Sequence, residues 1–478
     1  MKKSKHILFI VSLLLSSFIA KAQIDTILFT ESASHFFPSF PYKSSFASLI
    51  DRNGSAYLYS ANMEAGLGIY DLSTAGQILP VLNMSISNFD SLDISCLKQR
   101  NNSLFLGIGD FQTNTNHASG LAILDVSDPA APLLKDLWDS TAFTHGISHL
   151  LIQDDFAYLS TMSEGMFILD ISDETDIHFV SHLQLDLNFP APSPNAHNGR
   201  GLKYRNDTLF VCFDRGGLRV VDVTDKNLPV EVYSYINTIL NSTAAAAYND
   251  VYLKDSYAFI SVDYCGLEII DISTIPFTNV QWYNPWGCGP TNWSGAPNHF
   301  NELKTSRNDS ILFISTGQSE VLAFDISDPA NTIFKGSFGE VNDSLATYGL
   351  DVFNDLVSLS YVRTAFHIPP FTPFFSDPGG LRTLDFSVSY NNTGIEDLLG
   401  NSDALEIFPN PTNKKTSIRT SLNFTELSLR DAFGRHIKTL KYEGTQNIEL
   451  DLSSYSTGIY FLSIQLSSGL VSKRLIIQ

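Results

Sequence analysis

The chain has 478 residues and a formal net charge of −20. So acidic a balance repels nucleic acid and anionic lipid, and it argues against both as partners. Four cysteines in a chain of this length are too few for a disulfide scaffold, so a hydrophobic core must carry the stability.

Residues 1–22 open with Lys2, Lys3 and Lys5. An apolar run follows over 7–20, then Ala20-Lys21-Ala22 before Gln23. That order is expected of a cleaved secretory signal peptide. The apolar run is too short to span a bilayer comfortably, and no other segment predicts a transmembrane span. The expected product is exported, either secreted or held at the outer cell surface. Loss of the four lysines in 1–22 takes the charge to −24. The segment from 404 onward holds nine Lys/Arg and six Asp/Glu, so residues 23–403 carry about −27.

Along 23–390 one nine-residue phrase recurs seven times. Its copies place an aspartate at Asp71, Asp125, Asp170, Asp222, Asp271, Asp325 and Asp385, spaced by 54, 45, 52, 49, 54 and 60 residues. Two copies read Gly165-Met-Phe-Ile-Leu-Asp170-Ile-Ser-Asp and Gly217-Leu-Arg-Val-Val-Asp222-Val-Thr-Asp. A period of this size marks stacked supersecondary units. Each unit contains four short β-branched and aromatic runs broken by turn residues, which predicts two antiparallel hairpins. Four-stranded units repeated radially make a β-propeller, and seven copies predict seven blades. The last copy stops at Tyr390 with no fourth strand after it. The run Thr26-Ile-Leu-Phe-Thr30 is expected to supply that strand and close the ring. The repeated aspartates are expected to cap turns by accepting backbone N–H groups, since seven equivalent positions cannot form one active site.

Residues 391–403 are polar and lack the repeat, and they read as a linker. The segment 404–478 has alternating strands and turns: Glu406-Ile-Phe-Pro-Asn-Pro-Thr412, Leu427-Ser-Leu-Arg-Asp-Ala-Phe-Gly434, Leu450-Asp-Leu-Ser-Ser, Gly458-Ile-Tyr-Phe-Leu462 and Lys473-Arg-Leu-Ile-Ile-Gln478. This predicts a small C-terminal β-sandwich. The expected fold class is all-β throughout.

The nine-residue phrase resembles the repeat of the LVIVD family. That resemblance implies a propeller and says little about chemistry. The segment 404–478 resembles the type A C-terminal sorting domain of the type IX secretion system of Bacteroidetes. It implies passage through the periplasm and engagement of the type IX secretion machinery at the outer membrane. Cleavage near the start of the tail follows, with release or surface attachment.

The candidate site lies where the innermost strands begin. His145, His197 and His299 each stand ten residues before a turn aspartate (Asp155, Asp207 and Asp309). Three imidazoles at one repeat offset could converge at a channel mouth, with His149, Asn198, Asn249, Asp250, Asn301 and Glu302 nearby. Such a group suits a divalent metal cofactor, a polar ligand or acid–base work. Repeat-derived residues bonding loop backbone are the plainer alternative. The long insertions, at 111–119, 188–195, 282–299 and 365–379, fall on the face carrying the blade-to-blade connections. The third holds Trp282, Trp286 and Trp293, and the last holds Phe371, Phe374 and Phe375. Aromatics among Pro, Gly and Asn suit stacking on a glycan or contact with a surface protein. Cys265 and Cys288 lie on the same face, where an oxidising compartment allows a disulfide. Cys96 and Cys212 read as buried thiols. No nucleophile elbow, zincin, phosphate-loop or EF-hand motif occurs. The sequence therefore favours a non-catalytic protein that binds a glycan, a protein or an envelope partner. The alternatives are a hydrolase or metal-dependent lyase at the channel mouth and a structural surface-layer component.

Overall fold

The computed structural model describes residues 23–38, 45–109, 118–191, 197–239, 247–288, 299–317, 319–340, 345–362, 376, 378–391, 405–420, 426–431, 436–441, 447–466 and 469–478. The expected signal peptide at 1–22 and nearly all of the expected linker lie outside these residues. Thr26–Val388 forms one compact unit, and Ser389–Gln478 falls in a second.

The first unit contains seven four-stranded antiparallel sheets. In blade 3 the strands are Ile147–Gln153, Phe156–Thr161, Met166–Asp170 and His178–Leu183, paired in that order. The middle two are apolar and buried on both faces, whereas the outermost strand alternates. The innermost strands of the other blades are Ala47–Ile50, Asp93–Arg100, Leu202–Arg205, Ala247–Lys254, Phe300–Ser306 and Thr347–Phe353. Each packs against the next in sequence, and the last packs against the first, so the blades form a closed ring. This is the expected seven-bladed propeller.

Closure works as the sequence suggested. The strand Gln23–Phe36 pairs with Gly380–Asn391 as the outermost strand of blade 7. Ser32 Oγ donates to Asp385 Oδ2 at 2.7 Å. Phe29 packs its ring against Phe313 of blade 6 and Phe386 of blade 7. The edge that blade 7 would otherwise expose is thereby covered.

Six of the seven repeat aspartates do the work expected of them. Asp71, Asp125, Asp170, Asp222, Asp271 and Asp325 each accept the N–H two residues on, at 2.6 to 2.9 Å. These are Asx turns that end the third strand. The repeat glycine has its own reason. Gly217 has φ +78°, and a Cβ there would lie 2.2 Å from the Tyr235 carbonyl oxygen. Blade 6 places Glu320 at this point, with φ +61°, and its carboxylate pairs with Arg382 of blade 7.

One device recurs along the innermost strands. Blades 2, 3, 5, 6 and 7 each have a register shift near the start of that strand. A bulge inserts a residue and turns its side chain sideways. In this way Ser95 reaches the Ile147 carbonyl and Ser148 reaches the Gly199 carbonyl. Asn249 donates to Phe300 O at 2.9 Å and Asn301 to Thr347 O at 3.0 Å. In blades 2, 3, 5 and 6 the bulge thus staples its blade to the next.

The C-terminal unit has two antiparallel sheets. One contains Leu405–Phe408, Lys415–Thr420 and Asn447–Asp451; the other contains Glu426–Asp431, His436–Lys441, Gly458–Leu466 and Gly469–Ile477. Ile407, Ile418 and Leu450 from the first sheet join Leu427, Leu429, Leu462 and Leu475 from the second in one core. That is a small sandwich.

Candidate functional site

The three histidines singled out by their shared offset occupy three different environments. His145 is 57 % exposed, with Nδ1 beside the Thr144 and Ser163 hydroxyls and 3.5 Å from Glu164. His197 is buried, with Nε2 3.0 Å from the Phe189 carbonyl. His299 is fully buried, and its Nδ1 lies 2.6 Å from Asp263 Oδ1. The structure does not gather the three imidazoles into one ligand set. Among the described residues no group of three His, Cys, Asp or Glu side chains is arranged to hold a metal ion.

Turn length explains part of the divergence. In blade 3 the turn after the innermost strand contains only Asp154 and Asp155, because Gln153 pairs with Phe156. In blade 6 Ser306 pairs with Ile311, which leaves a four-residue turn. Counting back ten residues from the aspartate therefore lands at different heights. His299 directly precedes the first paired residue, Phe300, whereas His145 stands two before Ile147.

His299 belongs to a buried polar layer at the connection end of the channel. Arg200 and Asp214 come from blade 4, Asp263 and Tyr264 from blade 5, His299 from blade 6 and Tyr348 from blade 7. Arg200 Nη2 lies 3.6 Å from Asp214 Oδ2, and Asn198 donates to the same oxygen at 2.8 Å. Burial raises the Asp214 carboxyl above its ordinary range, against the opposing pull of Arg200 and Asn198. Burial works against the Arg200 charge, but Tyr348, Asp214 and Asp263 outweigh it. The His299 ring packs on Tyr264 at 4.5 Å. Phe46 stacks on Tyr348 at 4.3 Å in a cluster that includes Met63 and draws in Met162 of blade 3.

Below this layer lies a second one that sequence reasoning reached only in part. Next to the bulged residues stand Cys96, His149, Asp250 and Glu302. Two residues after Cys96 and Glu302 come Lys98 and Lys304, on blades 2 and 6, and Lys203 holds the corresponding place on blade 4. Their register partners Phe105, Phe210 and Phe313 occupy matching places on the second strands. Side chains from these non-adjacent blades act on one another. Burial, with Lys304 and Lys203 beside it, pushes the Lys98 amine down to about 8, against Glu302 and Asp250. Burial also lowers Lys203 and the His149 imidazole. Burial alone would raise Asp250, yet His149, Lys203 and Lys304 hold it below its ordinary range. The sequence named His149, Asp250 and Glu302 as neighbours but missed all three lysines. Their common register would have revealed them once the strand pairing was known.

The expected disulfide joins Cys265 to Cys288. Cys96 and Cys212 are buried thiols, and burial raises both. Trp282 lies not in the expected loop insertion but in the outermost strand of blade 5, Thr278–Tyr283, where it pairs with Glu268; it is 41 % exposed, and its Nε1 donates to the Cys265 carbonyl at 2.5 Å. Trp286 instead packs inward against Phe300. Trp293 and Phe371, Phe374 and Phe375 lie outside the described residues. Glu302 is committed: Oε2 accepts from Lys304 at 2.9 Å and from the Leu350 N–H at 3.2 Å. Sequence reasoning also missed an open pocket of about 290 Å³ at blade 1, lined by His35, Phe37, Asn62, Tyr70 and Asn83 among others. No helix among the described residues is long and apolar enough to cross a membrane.

Comparison with known proteins agrees with this architecture. The LVIVD repeat model matches residues 116–139, 148–184, 206–237 and 247–275. The secretion system C-terminal sorting domain model matches 406–478. No curated protein matches the chain. Among solved structures, the WD40 repeats of RRP9 are 9 % identical with a TM-score of 0.50, covering 75 % of this chain and all of that one. U3-55K is likewise 9 % identical with a TM-score of 0.50, covering 74 % of this chain and 98 % of its own. At such identity the likeness shows the fold alone. The chain is therefore an LVIVD-repeat β-propeller with a secretion system C-terminal sorting domain, which directs it to the cell surface or out of the cell.

Proposed function

We propose that this protein is a secreted or cell-surface binding module that stacks a glycan, its own or a surface protein's, on the face bearing the blade-to-blade connections. The observation that carries this reading is Trp282. Its indole stands 41 % exposed while its N–H is spent on the Cys265 carbonyl, and Cys265 is tied to Cys288. An aromatic plane fixed in this way offers stacking area at little entropic cost on binding. The acidic propeller favours neutral or cationic partners at its outer surface.

A catalytic reading asks more of the site. A hydrolase or metal-dependent lyase would need His145, His197 and His299 to meet one substrate, and each sits in its own hydrogen-bond network. The type IX secretion machinery remains the partner expected for the C-terminal domain.

The test is a glycan array probed with the full chain, wild type beside Trp282→Ala. We expect hits on the wild type and about tenfold weaker binding in the variant, with an unchanged melting midpoint. Hits that Trp282→Ala retains at full strength would overturn the stacking role, and an array without hits would overturn the glycan.

A further inference from the structure

We propose that the axial channel holds a binding site for a doubly charged oxyanion, of the sulfate or phosphate kind, between Lys98 and Lys203. The three channel lysines sit at one strand register on alternating blades of a propeller whose own charge is strongly negative. Lys304 has an assigned carboxylate, Glu302, at 2.9 Å, and keeps 22 % exposure. It therefore faces open channel rather than packed core. No salt bridge or hydrogen bond joins the Lys98 or Lys203 ammonium to another described residue; Lys203 has only the Tyr252 ring at 5.9 Å. Of the other carboxylates that act on them, Asp250 spends Oδ1 on the Val251 N–H and Oδ2 on the Leu303 N–H, and Asp309, which acts on Lys203, accepts from the Thr305 hydroxyl. Lys98 and Lys203 thus share one strand register without an ion pair of their own, and the carboxylates that act on them, Asp250 and Glu302, are engaged with other donors.

His149 is the second observation. Both of its ring nitrogens are shielded from solvent and lack a hydrogen-bond partner among the described residues. Asp250, Glu302, Lys304 and Lys98 all act on it. A neutral imidazole there can donate one hydrogen bond to an oxyanion. Lys98, Lys203 and Lys304 are like charges that act on one another, and a ligand that neutralises them relieves that repulsion. The aqueous ions and a sulfated or phosphorylated sugar present the same chemistry.

The test uses the full chain and calorimetric titration with sodium sulfate and sodium phosphate at pH 7, at ionic strength matched by chloride. The wild type should bind about one equivalent, with melting raised by sulfate but not by chloride. Lys98→Met and Lys203→Met should each weaken binding about tenfold, and the double variant should abolish it. Without anion, the double variant should melt no lower than the wild type, which separates loss of a site from loss of the fold. Raising the pH to 9 should weaken binding. The titratable and charged groups acting with Lys98 are Lys304, Lys203, Glu302, Asp250 and His149, and burial pushes its amine down to about 8. Tighter binding of a sulfated monosaccharide than of free sulfate would identify a sugar-borne source; equal or weaker binding would identify the free ion. No saturable response beyond chloride, or an equal response in the double variant, would overturn the site. Trp282→Ala should leave this titration unchanged, so the two readings fail separately.

Discussion

At the scale of single residues, the charges buried in the third strands are the clearest case of function hidden from sequence. Glu268 is fully buried and accepts from Tyr235, Asn237, Tyr248 and Asn279. Arg219, at the matching place in blade 4, is also fully buried, and it donates to Gly216, Glu231 and Phe189. In sequence both are merely polar interruptions of an apolar run. Their partners come from two blades, and no local pattern announces them. A carboxylate so fully satisfied is tolerable, but four donors stranded by its removal are not. Glu268→Ala should cost about 3–5 kcal/mol, read from the urea midpoint. A loss under about 1 kcal/mol would show that the donors find other partners.

At the scale of elements, the strand-ending turns were legible and the bulges were not. An aspartate two residues before Ser or Thr announces its own turn, and hydrogen bonds from that residue hold Asp71, Asp125, Asp170, Asp222 and Asp271 below the ordinary carboxylate range. The sign of the pH effect follows. The unfolded aspartates take up protons first as pH falls, so their contribution is complete above about pH 4 and is lost as pH drops through the native values. Melting should therefore fall on the acid side. Replacing Asp125, Asp170 and Asp222 together by Asn, which can still form the turn, should flatten that slope; an unchanged slope would deny these carboxylates the role. The bulges at Ser95, Ser148, Asn249 and Asn301 leave no such trace, because a bulge is a property of pairing between strands. The channel lysines stayed hidden for the same reason.

At the scale of the whole molecule, the repeat count and the missing fourth strand together dictated a ring closed by the N-terminal segment. The contents of its axis depended on loop lengths that repeat spacing does not reveal, as the histidines showed. Closure gives the remaining prediction. A chain lacking residues 23–36 leaves Gly380–Asn391 as an open edge and strips Phe29 from Phe313 and Phe386, and should elute as higher oligomers. A peptide of residues 26–36 added in trans should restore the monomer. A truncated chain that stays monomeric with unchanged melting would deny the strand this role.

The same closure sets an order in time. Ser32 and Asp385 meet across 353 residues of sequence. The strand Gln23–Phe36 precedes the rest of the propeller along the chain, yet it waits for nearly the last of the propeller before it finds its partner. Until then blade 7 is incomplete, and a contact so distant in sequence is slow to form. A chain threading outward is thus held short of its finished ring until the final repeat has passed. The C-terminal domain is still to come at that moment, so the address arrives after the cargo is able to close.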